Sequence, residues 1–395
     1  MPKPNSNCRA IERKHPWPMV RLGDVCEFSR GLTYSKSDEV QVSSNVVLRS
    51  NNVDLGTGRL VFDELKYIRD SIEIPRSKRV SKGTILMCTA NGSKQHLGKV
   101  ALIDDDYDYA FGGFMGLLTP NDSIDSRYLY WQLMSFEFKR HVTTLTDGTN
   151  INNLKFADIA QFTFPLPPLS VQREIVARLE RELAAVEKMK KGFEELAETA
   201  RAEFKAELKE VFEEISRGGA ETRRLGAVCE NLDSRRVPIT KSNREAGKYP
   251  YYGASGVVDW VSGYIFDGDY LLVSEDGANL IARSTPIAFS VSGKIWVNNH
   301  AHILSFSDLT TQRFVEFYFA SIKIDDLVTG AAQPKLTQNA LNSIAIPLPP
   351  LSIQREVVAR LDGAKAKAEK LEAKARDGVA VCETMRKAIL KEAFE

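Results

Sequence analysis

The sequence predicts an α+β fold built from two similar halves, each of which ends in a long helix. A seventeen-residue segment occurs twice, as FPLPPLSVQREIVARLE at 164–180 and as IPLPPLSIQREVVARLD at 346–362, with thirteen identical positions. A long stretch without proline follows each copy, and the region before each copy mixes short apolar runs with turn residues. Self-similarity of this extent is the signature of an internal duplication.

The chain of 395 residues is long enough for two or three domains. Residues 1–19 are polar and proline-rich, which predicts a loose N-terminal arm and not a signal peptide. We predict a first globular domain and its helix at 20–163 and 164–217, and a second pair at 218–345 and 346–395. Both halves open with similar Arg-Leu-Gly segments, which begin at Arg21 and Arg224.

The composition is that of an ordinary soluble globular protein, with 43% hydrophobic and 27% charged residues. The sequence has no run of about eighteen apolar residues, so no membrane span is predicted. Five cysteines without a C-x-x-C pair argue against a disulfide framework and a zinc site, and favour a reducing cytoplasm. The net charge of +1 is weak support for nucleic-acid binding, so any DNA contact must come from local patches.

The globular halves are predicted to contain short strands and one late amphipathic helix each. Residues 83–92 and 268–277 align as buried strands that close in an Asn-Gly or Asp-Gly turn. The helices are predicted near 126–142 and 311–327. Strands and helices do not alternate as in a βαβ fold, so the pattern indicates an α+β fold and not a Rossmann sheet.

Each repeated segment predicts the start of a long helix, with Ser170 and Ser352 as N-caps. About 45 residues at about 1.5 Å each give a length of roughly 68 Å. The apolar residues follow a three-four spacing, which favours an antiparallel coiled-coil spacer with pseudo-twofold symmetry. Two separate surface helices are the alternative. The predicted spacer residues are Leu179, Leu183, Phe193, Phe204, Leu361 and Leu371.

The motifs of a self-sufficient enzyme are missing from the sequence. An adenine methyltransferase needs an Asn/Asp-Pro-Pro-aromatic motif, but both Pro-Pro pairs, 167–168 and 349–350, lie between leucines. There is no phosphate-binding loop and no dinucleotide fingerprint. His300 and His302 have no carboxylate or thiol at ligand spacing in the sequence, which favours ordinary strand histidines. We therefore predict no catalytic centre, no cofactor and no metal.

Several motifs together resemble the specificity subunit of type I restriction–modification systems. They are the two PLPPLS-x-QRE motifs, YPYYGASG at 249–256, WVNNHAH at 296–302 and GAAQPKLT at 330–337. The likeness extends over the chain after residue 17. The first half departs from it, because GTNINNL at 148–154 stands where the second half has the Ala-Ala-Gln-Pro-Lys version.

The resemblance implies that 20–163 and 218–345 are target-recognition domains held apart by the two helices. Each domain would read one half of a split, asymmetric sequence in double-stranded DNA. The helices would bind two modification subunits, which are methyltransferases acting on adenine. Restriction subunits, which combine endonuclease and translocase activity, would join them to cleave DNA.

Amide and cationic side chains on loops are the groups that suit DNA contact. In the first half the candidates are Arg49, Asn51, Asn52, Asn91, Ser93, Lys94, Gln95 and Lys99. In the second half they are Arg235, Arg236, Lys241, Arg244, Tyr249, Tyr251, Tyr252, Gln333 and Lys335. Solvated turns are the alternative for the polar residues, and framework packing is the alternative for the tyrosines. Gln333 and Lys335 either touch DNA or brace the domain against its helix.

A second functional class is a coiled-coil interaction scaffold without DNA readout. The near-neutral charge favours this class, whereas the similar placement of polar and basic loops in both halves favours a DNA-binding subunit.

Overall fold

A computed structural model describes residues 16–146, 153–330 and 333–394 of the chain. Most of the predicted N-terminal arm lies outside the described residues, as do parts of the loops at 148–154 and 330–337. The chain forms two compact units, Met1–Lys191 with Ala380–Glu395 and Gly192–Val379. The boundaries given above for the recognition domains remain predictions.

The first unit is a mixed α+β body. Its strands are β1 (Met19–Arg21), β2 (Cys26–Arg30), β3 (Glu39–Val40), β4 (Asn45–Leu48), β5 (Lys66–Ile68), β6 (Ile85–Cys88), β7 (Val100–Leu102), β8 (Ala110–Phe111), β9 (Met115–Pro120) and β10 (Thr163–Pro165). Its helices are α1 (Leu22–Val25), α2 (Ser126–Met134), α3 (Phe136–Thr146), α4 (Phe156–Ile159) and the first part of α5 (Leu169–Arg217).

The strands of the first unit form two four-stranded sheets and a short pair. One sheet has the antiparallel order β2-β9-β6-β7, and the other has the order β3-β5-β4-β8, in which β4 and β8 are parallel. The main core is apolar throughout. Ile85 and Met87 of the first sheet pack there with Tyr128 and Phe138 of the helices. β1 and β10 pair beside the start of α5 and close the domain.

The second unit has the same general composition. Its strands are β11 (Thr222–Arg224), β12 (Glu230–Asn231), β13 (Ala246–Gly253), β14 (Gly256–Val261), β15 (Phe266–Ser274), β16 (Ala288–Val297), β17 (Ala301–Ser305), β18 (Val328–Thr329), β19 (Lys335–Leu336) and β20 (Ala345–Pro347). Its helices are α6 (Asn279–Ala282), α7 (Leu309–Ser321), α8 (Gln338–Ser343) and α9 (Leu351–Phe394), the last turns of which belong to the first unit.

One six-stranded sheet dominates the second unit, in the order β12-β17-β15-β16-β13-β14. β13 and β16 are parallel, as β4 and β8 are in the first unit. β11 pairs with β20 in the way that β1 pairs with β10. The backbone N–H groups of Leu22 and Leu225 donate to Phe162 and Ile344 respectively, both at 2.8 Å. The duplication read in the sequence therefore extends to strand pairing and to single hydrogen bonds.

The two long helices pair side by side in opposite directions. Ion pairs link Lys190 to Glu383 at 2.6 Å in the first unit and Arg201 to Glu372 at 3.0 Å in the second. Farther along, Arg360 lies between several glutamates of α5, with Glu214 at 3.1 Å. Residue numbers fall on α9 as they rise on α5, as antiparallel helices require. The predicted α+β fold with an antiparallel helix pair is confirmed.

The predicted spacer residues divide into two groups. Leu179 and Leu361 are buried within the cores of the two units, where they anchor the helices to the globular parts. Phe193 packs against the other long helix, because a Cβ on Gly378 would lie 2.5 Å from its ring. Leu183 and Phe204 are partly buried at the edges of these cores, and Leu371 is half-buried.

The starts of the long helices differ from the prediction. α5 begins at Leu169 and α9 at Leu351, so Ser170 and Ser352 lie inside the first turn and are not N-caps. The carbonyl groups of the second prolines open the helices, and Pro168 accepts from the N–H of Gln172 at 3.0 Å. The extended segments therefore end two residues earlier than the predicted serine N-caps implied. The helices contain 49 and 44 residues.

The two domain helices also differ from the predicted ranges. The segment near 126–142 is two helices, because Ser135 is extended and its Oγ accepts from the N–H of Phe138 at 3.2 Å, which starts α3. The segment near 311–327 ends earlier, at Ser321. The guanidinium of Arg283 donates to the carbonyls of Phe319 and Ile322 at 3.1 Å and caps that end.

Among the described residues, no helix has the length and apolar character needed to cross a membrane.

Candidate nucleic-acid interface

In the first unit, three turns meet at one end of the sheet strands. Thr89 and Ala90 follow β6, and their N–H groups both donate to the carbonyl of Phe114 at 3.0 Å. Phe114 immediately precedes β9. The turn after β4 joins them, because Asn91 Nδ2 donates to Ser50 Oγ at 2.8 Å. We call the surface formed by residues 49–52, 89–96 and 112–114 the first edge.

The second unit builds a matching surface from matching hydrogen bonds. Glu275 follows β15, and its N–H donates to the carbonyl of His300 at 2.9 Å, immediately before β17. Ser274 Oγ donates to the carbonyl of Ala254 at 2.5 Å, which holds the turn between β13 and β14. The N–H of Leu336 donates to the carbonyl of Glu275 at 2.8 Å.

The three second-half motifs at 249–256, 296–302 and 330–337 therefore converge in space. We call the surface formed by residues 253–256, 274–277, 298–301 and 333–336 the second edge. The first unit has an equivalent of the contact between Leu336 and Glu275, because the N–H of Leu154 donates to the carbonyl of Thr89 at 2.7 Å.

The first edge carries seven of the predicted DNA-contact residues, and the more open of them are Asn51, Asn91, Ser93, Lys94 and Gln95. Asn51, Lys94 and Gln95 are exposed. Asn91 is held by its neighbours, since its Oδ1 also accepts from the N–H of Ser93 at 2.9 Å. Lys94 Nζ donates to the carbonyl of Thr146 at 2.9 Å. The edge thus presents amides and a cation on a backbone fixed by hydrogen bonds.

Three other first-half candidates are more enclosed. Arg49 and Lys99 are half-buried, and Lys99 Nζ donates to the carbonyl of Val53 at 2.8 Å. Burial lowers the pKa of Lys99 from its ordinary value. Asn52 is only 1% exposed, and its Nδ2 donates to the carbonyl of Val61 at 3.1 Å. The loop uses the Asn52 amide to hold itself together, and the DNA-contact cluster expected around this residue stays a prediction.

Four second-half candidates are exposed, and two of them, Gln333 and Lys335, lie on the second edge. Gln333 and Lys335 are exposed, and Lys335 Nζ lies 3.1 Å from Glu275 Oε1. Arg235 is exposed, with its guanidinium 5.3 Å from the ring centre of Phe266. Lys241 is exposed on the segment before β13. The three cations therefore differ in how freely they can bind a DNA phosphate.

Three further second-half candidates are engaged by the framework of their own domain, and their contact with DNA stays a prediction. Tyr251 is 1% exposed, and its hydroxyl accepts from the N–H of Ile239 at 3.0 Å. Arg244 lies over the Tyr251 ring at 4.4 Å and pairs with Asp259 at 3.1 Å. Arg236 donates to a carboxylate and to a backbone carbonyl inside the domain. The sequence showed their charge and aromaticity but not their distant partners.

Tyr249 and Tyr252, offered with Tyr251 as possible base or backbone contacts, are half-buried. Tyr249 packs against Tyr264, with ring centres 5.0 Å apart.

A buried charged cluster lies beneath the second edge. His302 Nδ1 lies 2.5 Å from Asp233 Oδ2, and its Nε2 lies 2.8 Å from the carbonyl of Leu336. Arg236 donates to Glu275 Oε2 at 2.7 Å. His302 is a strand histidine of β17, as the sequence favoured, and its carboxylate partner Asp233 is 69 residues away in the chain but adjacent in space.

The cluster is balanced by its own cations. Burial acts to raise the pKa of Asp233, but the hydrogen bond and charge of His302, with Ile303 N–H and Arg236, lower it overall. Burial likewise opposes the lowering of the Glu275 pKa by Arg236, His302 and Lys335. Asp233, Glu275 and His302 have ligand atoms within 4.8 Å of one another. Arg236 and Lys335 already supply the positive charge that a metal ion would bring.

Two cysteines occupy matching places near the start of each unit. Cys26 Sγ donates to the carbonyl of Leu22 at 3.2 Å, and Cys229 Sγ donates to that of Leu225 at 3.3 Å. Burial raises the pKa of both thiols to about 12. Both are therefore protonated near neutral pH and are poor nucleophiles or ligands.

Sequence reasoning missed one prominent residue of the first edge. Phe114 is 74% exposed, although an aromatic residue between two strands reads as part of a core. The sequence feature that could have indicated its exposure is the preceding pair Gly112-Gly113, which provides no side chains to cover the ring.

Comparison with known proteins agrees with this architecture. The family model described as "Type I restriction modification DNA specificity domain" matches residues 14–196 and 218–377. The EcoKI type I restriction enzyme specificity subunit of Escherichia coli K12 is 24% identical over 421 aligned positions, which cover 96% of this chain and 88% of that protein.

A shorter alignment reaches higher identity. A Haemophilus influenzae protein named as a type I restriction enzyme specificity subunit is 36% identical over 142 residues, or 36% of each chain. Among solved structures, a chain from work on complex assembly and conformational transition of the type I R-M system has a TM-score of 0.74. That chain is 20% identical, and the superposition covers 96% of this chain and 97% of that one.

Proposed function

The chain belongs to the type I restriction–modification DNA specificity family, and from this premise we propose that it is a non-catalytic subunit that reads a bipartite, asymmetric DNA target. It directs adenine methylation and restriction, both carried out by partner subunits. Specific base contacts come from side chains on the two edges, and cations beside them contact phosphates.

The observation that carries this proposal is that the two edges share a backbone design but differ in side chains. Equivalent hydrogen bonds hold the turns at Phe114 and His300. The side chains that these turns present are different, with amides and a phenylalanine on the first edge and a histidine, Gln333 and Lys335 on the second. Two identical readers would suit a palindrome, whereas two different readers suit two different half-sites.

The long helices support the spacer part of the proposal. Each helix contributes residues to both units, and ion pairs join the two helices along their length. A gap of constant length between the half-sites follows from a spacer of constant length.

The repeated proline segment is our proposed contact for the modification subunits. In the second unit it borders a groove of about 860 Å³ whose lining includes Pro350, Ile353, Glu356 and Arg360. Ile353 is 40% exposed there, although it is apolar. The near-identity of this segment in both repeats supports one kind of partner, bound twice.

Methylation mapping tests the proposal. The chain is expressed with its modification subunits in cells that lack other adenine methylation, and methylated adenines are located by sequencing. We expect a split, asymmetric motif that disappears when this chain is deleted. A methylation pattern that persists without the chain would contradict DNA reading.

The alternative function, a coiled-coil scaffold without DNA readout, gives a different result in the same experiment. The scaffold would still assemble with the modification subunits, but exchanging it for a relative would not alter the motif. The exposed amides on hydrogen-bonded turns weigh against this alternative, because such groups are suited to base edges.

A further inference from the structure

Phe114 and His300 occupy the same position in the two units. Met115 of β9 pairs with Cys88 of β6, and Ala301 of β17 pairs with Ser274 of β15. Each of the two residues stands just before its strand, and each offers its carbonyl to the residue after the partner strand. The two units share this strand pairing and this backbone hydrogen bond, and they differ in the side chain at this position.

The Phe114 side chain is exposed on a firmly held backbone. Its carbonyl accepts from the N–H groups of Thr89 and Ala90 and also from Thr89 Oγ1, all at 3.0 Å. Single exposed apolar residues are common on protein surfaces. This one is distinguished by its place on an edge that also carries the amide of Asn91 and the exposed cation Lys94.

The His300 ring is oriented by an acidic neighbour. Its Nδ1 lies 2.8 and 3.0 Å from the two carboxylate oxygens of Asp276, so Nδ1 carries a proton and donates it to the hydrogen bond. The side chain is 48% exposed. Nε2 has no partner in the part of the chain that the structure describes, and in the neutral ring it is a hydrogen-bond acceptor.

These two positions have different chemistry for bases. A phenylalanine makes apolar contact with the methyl group of thymine or inserts between base pairs. An acceptor nitrogen matches the exocyclic amines of adenine and cytosine, which are the donors that bases offer in the major groove. The keto groups of guanine and thymine at the same place would face an acceptor and be rejected.

We propose that Phe114 and His300 are matching specificity residues, one for each half-site. Phe114 contacts bases of one half-site through its apolar ring. His300 accepts a hydrogen bond through Nε2 from an adenine or cytosine of the other half-site, and Asp276 positions its ring. This inference rests on the proposed function and adds to it the residue in each unit that distinguishes the two targets.

The test uses the full chain in complex with its modification subunits. Duplexes are selected by binding from a pool in which both half-sites are randomised, for the unmodified chain and for Phe114→Ala, Phe114→Leu and His300→Ala. Phe136→Ala is the matched control, because Phe136 is 64% exposed but lies on α3, outside the first edge. Circular dichroism and assembly with the partners verify that each variant is folded.

We expect Phe114→Ala to relax base preference at one position of one half-site and to weaken binding there by about tenfold to a hundredfold. Phe114→Leu should retain part of the preference, because leucine keeps an apolar side chain. His300→Ala should relax one position of the other half-site only, at an adenine or cytosine. Phe136→Ala should select the unmodified motif.

Three outcomes would overturn the inference. If the unmodified chain selects a split motif and both alanine variants select that same motif, the proposed function stands and the inference fails. If both variants relax the same half-site, the assignment of one residue to each half-site fails. If the unmodified complex selects no motif at all, the proposed function fails first and this inference fails with it.

Discussion

The guanidinium of Arg313 in α7 donates two hydrogen bonds to Asp362 Oδ1 in α9, at 3.0 and 2.7 Å. In the first unit Arg127 of α2 pairs with Glu180 of α5 at 3.3 Å. Glu180 and Asp362 hold the same place in the repeated segment. In each unit an arginine of the globular part therefore pairs with the long helix at the same acidic position of the repeat.

The Arg313–Asp362 contact should contribute measurably to stability. Asp362→Ala removes two charge-assisted bonds from a partly buried arginine that also bonds to Glu316, so we expect a loss of about 1 kcal/mol in the free energy of unfolding. Glu180→Ala breaks one contact between exposed side chains and should cost less than about 0.5 kcal/mol. Urea denaturation measures both, and equal losses would contradict the difference in geometry.

The contact between Phe193 and Gly378 predicts opposite effects for two glycines of α9. A Cβ on Gly378 would lie 2.5 Å from the Phe193 ring, so Gly378→Ala should destabilise the helix pair by about 1–3 kcal/mol. Gly363 has nothing within 4 Å of an added Cβ, so Gly363→Ala should stabilise by about 1 kcal/mol through helix propensity.

The double variant provides the control for this packing. With Phe193→Ala already present, Gly378→Ala should lose its penalty and behave like Gly363→Ala. Thermal denaturation monitored by circular dichroism compares the four proteins. A penalty that persists without the Phe193 ring would show that the ring is not its cause.

The buried cluster predicts a dependence of stability on acid. Burial opposes a low pKa for Asp233, but His302, Ile303 N–H and Arg236 bring its folded pKa below the ordinary 3.8. The resulting stability is fully present above about pH 3.8, which is the value in the unfolded chain, and is lost as pH falls through the lower folded pKa.

Asp233→Asn should therefore be less stable than the unmodified chain by about 3 kcal/mol at pH 7, because the buried Arg236 loses a counter-charge. The difference should narrow as pH falls below 3.8. Asp267→Asn at an exposed site is the control and should change stability by less than about 0.5 kcal/mol. Urea denaturation across pH measures both, and a difference for Asp233→Asn that is constant with pH would contradict the account.

A substitution at Tyr251 distinguishes a residue of the domain framework from a residue that contacts DNA bases. Tyr251→Phe removes a buried hydroxyl that accepts from the Ile239 N–H, so we expect a loss of about 1 kcal/mol in stability. The selected DNA motif should not change. Tyr249→Phe at a half-buried site is the control, with a smaller loss expected. A changed motif for Tyr251→Phe would show that this tyrosine takes part in DNA recognition.

The sequence predicted the architecture well because the architecture follows from local sequence patterns. The repeated segment, the proline-free stretches and the apolar spacing of Leu179 and Leu361 are all visible without knowledge of distant contacts. The helix start was misplaced by two residues, since Pro168 opens the helix through its carbonyl and leaves Ser170 inside the first turn.

The candidate site was harder to predict because it depends on contacts between distant segments. Arg236 looked like a surface cation until Glu275, 39 residues later, was found to bind it. The partner of His302 could not be identified from the sequence because Asp233 is 69 residues away in the chain. Phe114 was not singled out in the sequence, and its 74% exposure becomes visible only in the folded edge.

The central claim is that the two units read different halves of one DNA target. Its most direct test exchanges residues 20–163 for the corresponding segment of a relative that directs methylation to another sequence, and maps methylated adenines in cells that also supply the modification subunits. We expect one half of the motif to change, while the other half and the gap stay the same. A motif that changes in both halves, or in neither, would contradict the claim.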